Sequence, residues 1–185
     1  MTDDHTTATG TPVGPYPEAG RADFPAIEER VLARWKAEGT FRDSIDARPV
    51  DDEFVFFDGP PFANGDVHIG TALNKILKDF ILKYQTLRGK HVPYVPGWDC
   101  HGLPIEFKVT QQMRKDGNTD ATPATIRKAC EKYALEFVDK QREQFKRLGV
   151  LGEWDNPYLT LHPEYEAKEL RLFAELVEKG FVYRG

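Results

Sequence analysis

Apolar residues recur at intervals of three and four through most of this chain, and the interruptions mark where it stops being helical. Phe24, Ile27, Val31 and Trp35 share one face of a helix that Asp23 can cap and Gly39 can end. Ile69, Leu73, Ile76, Phe80, Tyr84 and Leu87 repeat the spacing between His68 and Arg88, with Gly89 as the stop. Between these helices, Phe54 to Phe57 is a continuous apolar run, the pattern of a strand covered on both faces in a parallel sheet, and Gly59-Pro60-Pro61 ends it. Residues 42–52, with mixed charge and a proline, predict a linker into that strand.

A second strand is expected over His91 to Val95, giving a strand, helix, strand unit of the length a right-handed crossover needs. A helix is predicted over Ile105 to Lys115. A longer one is opened by Thr122-Pro123 and runs to Leu148, stopped by Gly149; a last one covers Pro163 to Lys179 with Leu170, Phe173, Ala174 and Val177 on one face. Phe181 to Gly185 reads as the start of a strand. Met113 and the helix-face aromatics are assigned to the core. The fold class predicted is α/β, and the chain divides into a tail (1–22), an N-terminal helix and linker (23–52), a main α/β part with a helical insert (53–160), and a closing helix with a strand start (161–185).

Composition narrows the options. At 185 residues, 40% hydrophobic and 30% charged, the chain can bury one real core. Its formal net charge of −5 argues against a sequence-wide electrostatic footprint for nucleic acid and leaves only a local one. Cys100 and Cys130 lack the spacing of a zinc pair or a disulfide framework, which fits a reducing, cytoplasmic compartment. Residues 1–20 have no secretory apolar region, and no apolar run approaches the roughly 20 residues that cross a bilayer.

The chemistry concentrates in two loops at the carboxyl ends of the expected strands, where open α/β sheets place their ligand crevice. The first, Gly59 to Val67, leads into the helix start at His68, where unpaired N–H groups and a positive dipole end suit a phosphate. His68 is either a structural cap or a donor to phosphate oxygens; Gly70 leaves a smooth backbone surface on which adenine can lie. The second loop, Pro96 to Pro104, carries Asp99, either a loop cap or a carboxylate for an ammonium group. Cys100-His101 has no second ligand pair, so no metal site is assigned.

The runs Asp58-Gly-Pro-Pro-Phe-Ala-Asn-Gly-Asp-Val-His-Ile-Gly70, Leu73-Asn-Lys-Ile-Leu-Lys-Asp79 and Pro96-Gly-Trp-Asp-Cys-His-Gly-Leu-Pro-Ile-Glu106 resemble the amino-terminal part of bacterial isoleucyl-tRNA synthetases. Arg147-Leu-Gly-Val-Leu-Gly-Glu-Trp154 and Pro157-Tyr-Leu-Thr160 continue the likeness, which covers about residue 23 to the end. Trp98 to Pro104 separates it from the valine and leucine enzymes.

The resemblance implies the first half of a Rossmann-like class I synthetase sheet, preceded by an N-terminal helical extension. It implies an aminoacyl-tRNA ligase that uses ATP with Mg2+ to activate L-isoleucine and then charges tRNA(Ile), cytoplasmic and monomeric at full length, with no zinc in this segment. The backbone of Gly59 and the carboxylate of Asp99 would hold the amino acid's amino group, Pro60 would wall its side chain, and His68 and Gly70 would contact ATP. Thr71 stands where the family signature His-Ile-Gly-His ends in histidine, and it inherits the catalytic and ATP-binding position in weaker form. The family's Lys-Met-Ser-Lys-Ser loop, editing domain and anticodon-binding domain are not in this sequence, so a truncated, non-catalytic paralogue that binds adenylate or a protein is the rival expectation. A small nucleotidyltransferase sharing only His-x-Gly explains the first loop but not the second.

Overall fold

The computed structural model describes residues 22–118 and 120–185, so the tail assigned to 1–22 lies, but for Ala22, outside the described residues. The elements are α1 (Phe24–Glu38), α2 (Thr40–Asp46), α3 (Ile69–Leu87), β1 (Gly97–Trp98), α4 (Leu103–Lys115), α5 (Pro123–Arg147), β2 (Tyr158–Leu159) and α6 (Pro163–Glu178). The capping signals act as expected. Asp23 Oδ1 accepts from Ala26 N, Thr122 Oγ1 from Thr125 N, and Gly39 turns left-handed at φ 64° to end α1. Residues 42–52 are not simply a linker: their first part belongs to α2, whose Ile45 is buried and whose end is tied down by Arg48 Nε donating to Thr86 O at 2.8 Å.

The sheet is small and parallel. β1 pairs with β2 in the register Gly97 to Tyr158 and Trp98 to Leu159, and the Phe54 segment joins the same arrangement only through bridges at Glu53–His91 and Phe62–Asp99. Neither 54–57 nor 91–95 forms the ladder predicted for it. The pairing starts well, with Phe54 N donating to His91 O at 2.8 Å. The next rung requires an N–H at position 93, which is proline, and Tyr94 N turns back to Val92 O instead. The ladder that does form joins Gly97–Trp98 to Tyr158–Leu159, a different pair of segments. The Phe54 run is covered on one face only: Phe54 and Phe56 are half-buried, whereas Val55 is 54% and Phe57 91% exposed. The strand start expected at Phe181 makes no ladder among the described residues.

α3 is turned opposite to its amphipathic pattern. Ile69, Leu73, Phe80, Tyr84 and Leu87 are exposed, and the side facing the interior carries Lys75, Asp79 and Leu82. These charges are tolerated because each is paired: Lys75 with Asp58, and Asp79 with Lys83 and with Leu151 N at 3.2 Å. Leu170, Phe173 and Val177 of α6 are likewise exposed. The core lies between the sheet and α5, where the rings of Trp98, Phe145 and Trp154 sit with centroids 6.0–6.3 Å apart. Ile105 and Val109 of α4 close it against Ala134 and Val138 of α5, and Met113 packs at its edge.

Candidate functional site

The Gly/Pro loop is held in shape by α5. Gln141, buried at 3% exposure, accepts the Trp98 indole N–H on Oε1 at 3.0 Å and donates from Nε2 to the carbonyls of Phe62 and Gly65. Gln144 Oε1 accepts from Val67 N at 2.9 Å, Lys140 and Gln144 reach Asp66, and Tyr133 OH donates to Asn64 Oδ1 at 2.9 Å. The two loops meet directly, since Ala63 N donates to Asp99 O at 2.8 Å and Asp99 N to Pro61 O at 2.9 Å.

At the start of α3, His68 is the N-cap. Its Nδ1 accepts from Gly70 N at 3.1 Å and Thr71 N at 3.3 Å, and its Nε2 lies 3.0 Å from Thr71 Oγ1. An acceptor Nδ1 places the proton on Nε2, so the ring donates to the threonine hydroxyl. This corrects one expectation: two N–H groups of the helix start are occupied by the protein itself rather than open for a phosphate. Gly70 suits this geometry, because a Cβ there would sit 3.0 Å from His68 Cε1 and the ring would have to shift.

A cleft of about 270 Å³ lies between the first loop and the helix start, lined by Gly59, Pro61, His68, Gly70, Thr71, Asn74 and Lys75. Four of the six residues singled out from sequence therefore share it, whereas Pro60 and Asp99 stand outside its lining. Asp99 is half-buried and caps its own loop, one oxygen accepting from His101 N at 3.2 Å.

Beneath the cleft is a group that sequence reasoning missed. Asp58, with no side-chain exposure, accepts from Lys75 Nζ, Lys78 Nζ and, at 2.6 Å, Tyr94 OH. Burial pushes its carboxyl up, but the charge of Lys75 and the hydrogen bonds of Lys75, Lys78 and Tyr94 outweigh it and hold the group below its usual value. Burial pushes Lys75 down and Tyr94 far up. The available signal was a lysine at position 75, on the same helical stripe as Asp79 and Leu82.

Cys100 is buried in the core, and that burial pushes its thiol up to about 11, away from the thiolate form. Among the described residues, no group of three or more His, Cys, Asp or Glu is placed to hold a metal ion. None of their helices is long and apolar enough to cross a membrane.

The model of tRNA synthetases class I (I, L, M and V) matches residues 30–185. The chain belongs to this family. Among relatives of this class I synthetase chain, isoleucine–tRNA ligase of Thermotoga maritima is 55% identical over 164 residues, and that of Thermoanaerobacter sp. (strain X514) 47% over 165, each covering 89% of this chain. In both cases the chain spans 18% of the relative's length. A solved structure, the ternary complex of Agrobacterium radiobacter K84 agnB2 LeuRS with tRNA and LeuAMS, matches at TM-score 0.66 and 27% identity, covering 89% of this chain and 19% of that one. The small parallel sheet with its helices is thus the N-terminal Rossmann-like half of a class I synthetase.

Proposed function

We propose that this segment is the nucleotide-cradling part of an isoleucine–tRNA ligase. In that reaction the carboxylate of L-isoleucine attacks the α-phosphorus of ATP, isoleucyl-adenylate forms, pyrophosphate leaves, and the isoleucyl group passes to a terminal hydroxyl of tRNA(Ile) with release of AMP. The observation that carries the reading is the cleft in which Gly59 faces His68, Gly70 and Thr71; the identity to isoleucine–tRNA ligases over 89% of the chain supports the choice of amino acid.

His68 holds its proton on Nε2, beside Thr71 Oγ1. With that hydroxyl accepting from the imidazole, its own hydrogen is polarised for donation to an α-phosphate oxygen, and negative charge developing there is stabilised by a preorganised donor. Gly70 leaves room for the adenine. Asp99, bridged to Phe62 of the first loop, would offer its second oxygen to the ammonium of isoleucine, with the Gly59 backbone as the other partner and Pro60 against the aliphatic side chain. Mg2+ enters as the counter-ion of ATP, since no carboxylate lines the cleft to hold it. Contact with tRNA belongs to the intact protein, which we place in the cytoplasm as a monomer. The four parts read from sequence serve as tail, entry helix, cradle and the passage toward an editing insertion.

The rival, a binding module without turnover, is favoured by one observation: His68 is committed to capping its own helix. ATP–pyrophosphate exchange by the intact gene product separates the two. Isoleucine-dependent exchange well above a His68→Ala control establishes activation; exchange at the level of that control rejects it.

A further inference from the structure

The two walls of the cleft come from separate pieces of chain. Gly59 follows Asp58 in the first loop, and His68 to Lys75 form the opening turns of α3. One buried contact ties them: Asp58 accepts from Lys75, with side-chain exposures of 0% and 3%. We infer that Asp58 and Lys75 are positioning residues that fix the separation of the cleft's walls and, with Lys78, place a net positive charge beneath it. The inference rests on reading this cleft as the nucleotide site.

Three features support it. Asp58 is held from two directions, by its carboxylate and by its main-chain oxygen, which accepts from Tyr158 OH at 3.0 Å, so the loop is anchored to the sheet where it meets the helix. The groups are unequal in number: one carboxylate faces two lysine side chains, and among the described residues neither lysine makes a salt bridge to another carboxylate. In a low-dielectric floor such an excess acts strongly on polyphosphate above it. Finally, a buried ion pair is no more stabilising than apolar groups filling the same volume, so stability alone gives no reason for two lysines at this place.

The test uses the intact gene product with Asp58→Asn, Lys75→Met and the double variant, which removes both charges of the buried pair and leaves only Lys78, whose side chain is one-fifth exposed, without its carboxylate. Three quantities are read: thermal stability, amide hydrogen exchange over residues 58–63 and 68–74, and kcat and KM in isoleucine-dependent exchange. We expect each single variant to lower Tm and to reduce kcat about 10–100-fold with KM for isoleucine little changed, as a misplacement near 1 Å does. The double variant should regain Tm without regaining kcat, and both segments should exchange faster than in the parent. Recovery of kcat together with Tm would reduce the pair to a structural role and overturn the inference. Should the unsubstituted protein show no isoleucine-dependent exchange, the proposed function fails, and hydrogen exchange decides the inference by itself: parental rates at both segments in the double variant overturn it.

Discussion

Gln141 Nε2 donates to the Gly65 carbonyl at 2.8 Å across 76 positions of sequence, and the same amide accepts the indole N–H of Trp98. One side chain of α5 thus sets the shape of the Gly/Pro loop and its distance from β1. Gln141→Leu keeps the volume but strands the Trp98 N–H in the core. We expect a loss of about 1–3 kcal/mol in urea unfolding followed by tryptophan fluorescence, the cost of a buried donor left without a partner. An unchanged midpoint would mean that the loop holds its shape unaided.

Gly97 shows the same dependence on close approach. A Cβ at this position would lie 2.1–2.4 Å from the Tyr158 ring, which crosses β1 to reach the Asp58 carbonyl. Gly97→Ala should cost about 1–3 kcal/mol as overpacking and displace Tyr158. The matched variant Gly97→Ala/Tyr158→Leu, with a smaller side chain at 158, should recover part of that loss; no recovery would point to a cause other than this clash.

Acid should act through Asp58. Its carboxyl is held below the ordinary 3.8 when folded. The stabilisation is therefore fully present above the unfolded value and is lost as pH falls through the lowered folded one. Stability measured by denaturant titration should drop as pH falls below the ordinary carboxylate value of 3.8, and Asp58→Asn should flatten that part of the profile. An equal slope in both proteins would assign the acid response to other carboxylates.

His68 has a capping role and a proposed catalytic one, and two substitutions separate them. His68→Ala removes the cap and should destabilise α3 by about 1 kcal/mol, whereas His68→Asn supplies another good capping oxygen and should lose little stability. Both should abolish the activity expected of the imidazole. If His68→Asn forms adenylate at the parental rate, the ring is a cap and nothing more.

Thr71 offers a complementary gain-of-function test. Full loss of one preorganised donor is worth about 2.7–4 kcal/mol, of which a threonine hydroxyl recovers a part. Thr71→His in the intact protein should accelerate single-turnover adenylate formation. An unchanged or slower rate would show that the hydroxyl beside His68 Nε2 already meets the need.

The helices were legible because their signals are local. Asp23, His68 and Thr122 cap the helices they precede, and Gly39 and Gly89 lie where the first two end. The strands were harder to place, because a hydrogen-bonded ladder requires donors on both partners and Pro93 removes one from the predicted pair. The first loop and its helix start were recognisable as one cleft, with Gly59, His68, Gly70 and Thr71 lining it. Asp58 and Gln141 were not, since their partners lie 17 to 100 residues away in sequence.

By itself the sequence determined where α1, α3 and α5 begin and end (though not that α2 exists), that a Gly/Pro loop runs into a capped helix, and which family the motifs resemble, since all of this is written in neighbouring residues. Tertiary structure alone decided which face of α3 turns inward. Periodicity measures where apolar side chains cluster, and on that measure Leu73 and Phe80 belong inside. The helix instead buries Lys75 and Asp79, because Asp58 and the Leu151 amide, together with Lys83 one turn further along the same helix, offset the cost of desolvating them, and the Asp58 and Leu151 contacts exist only once distant segments meet.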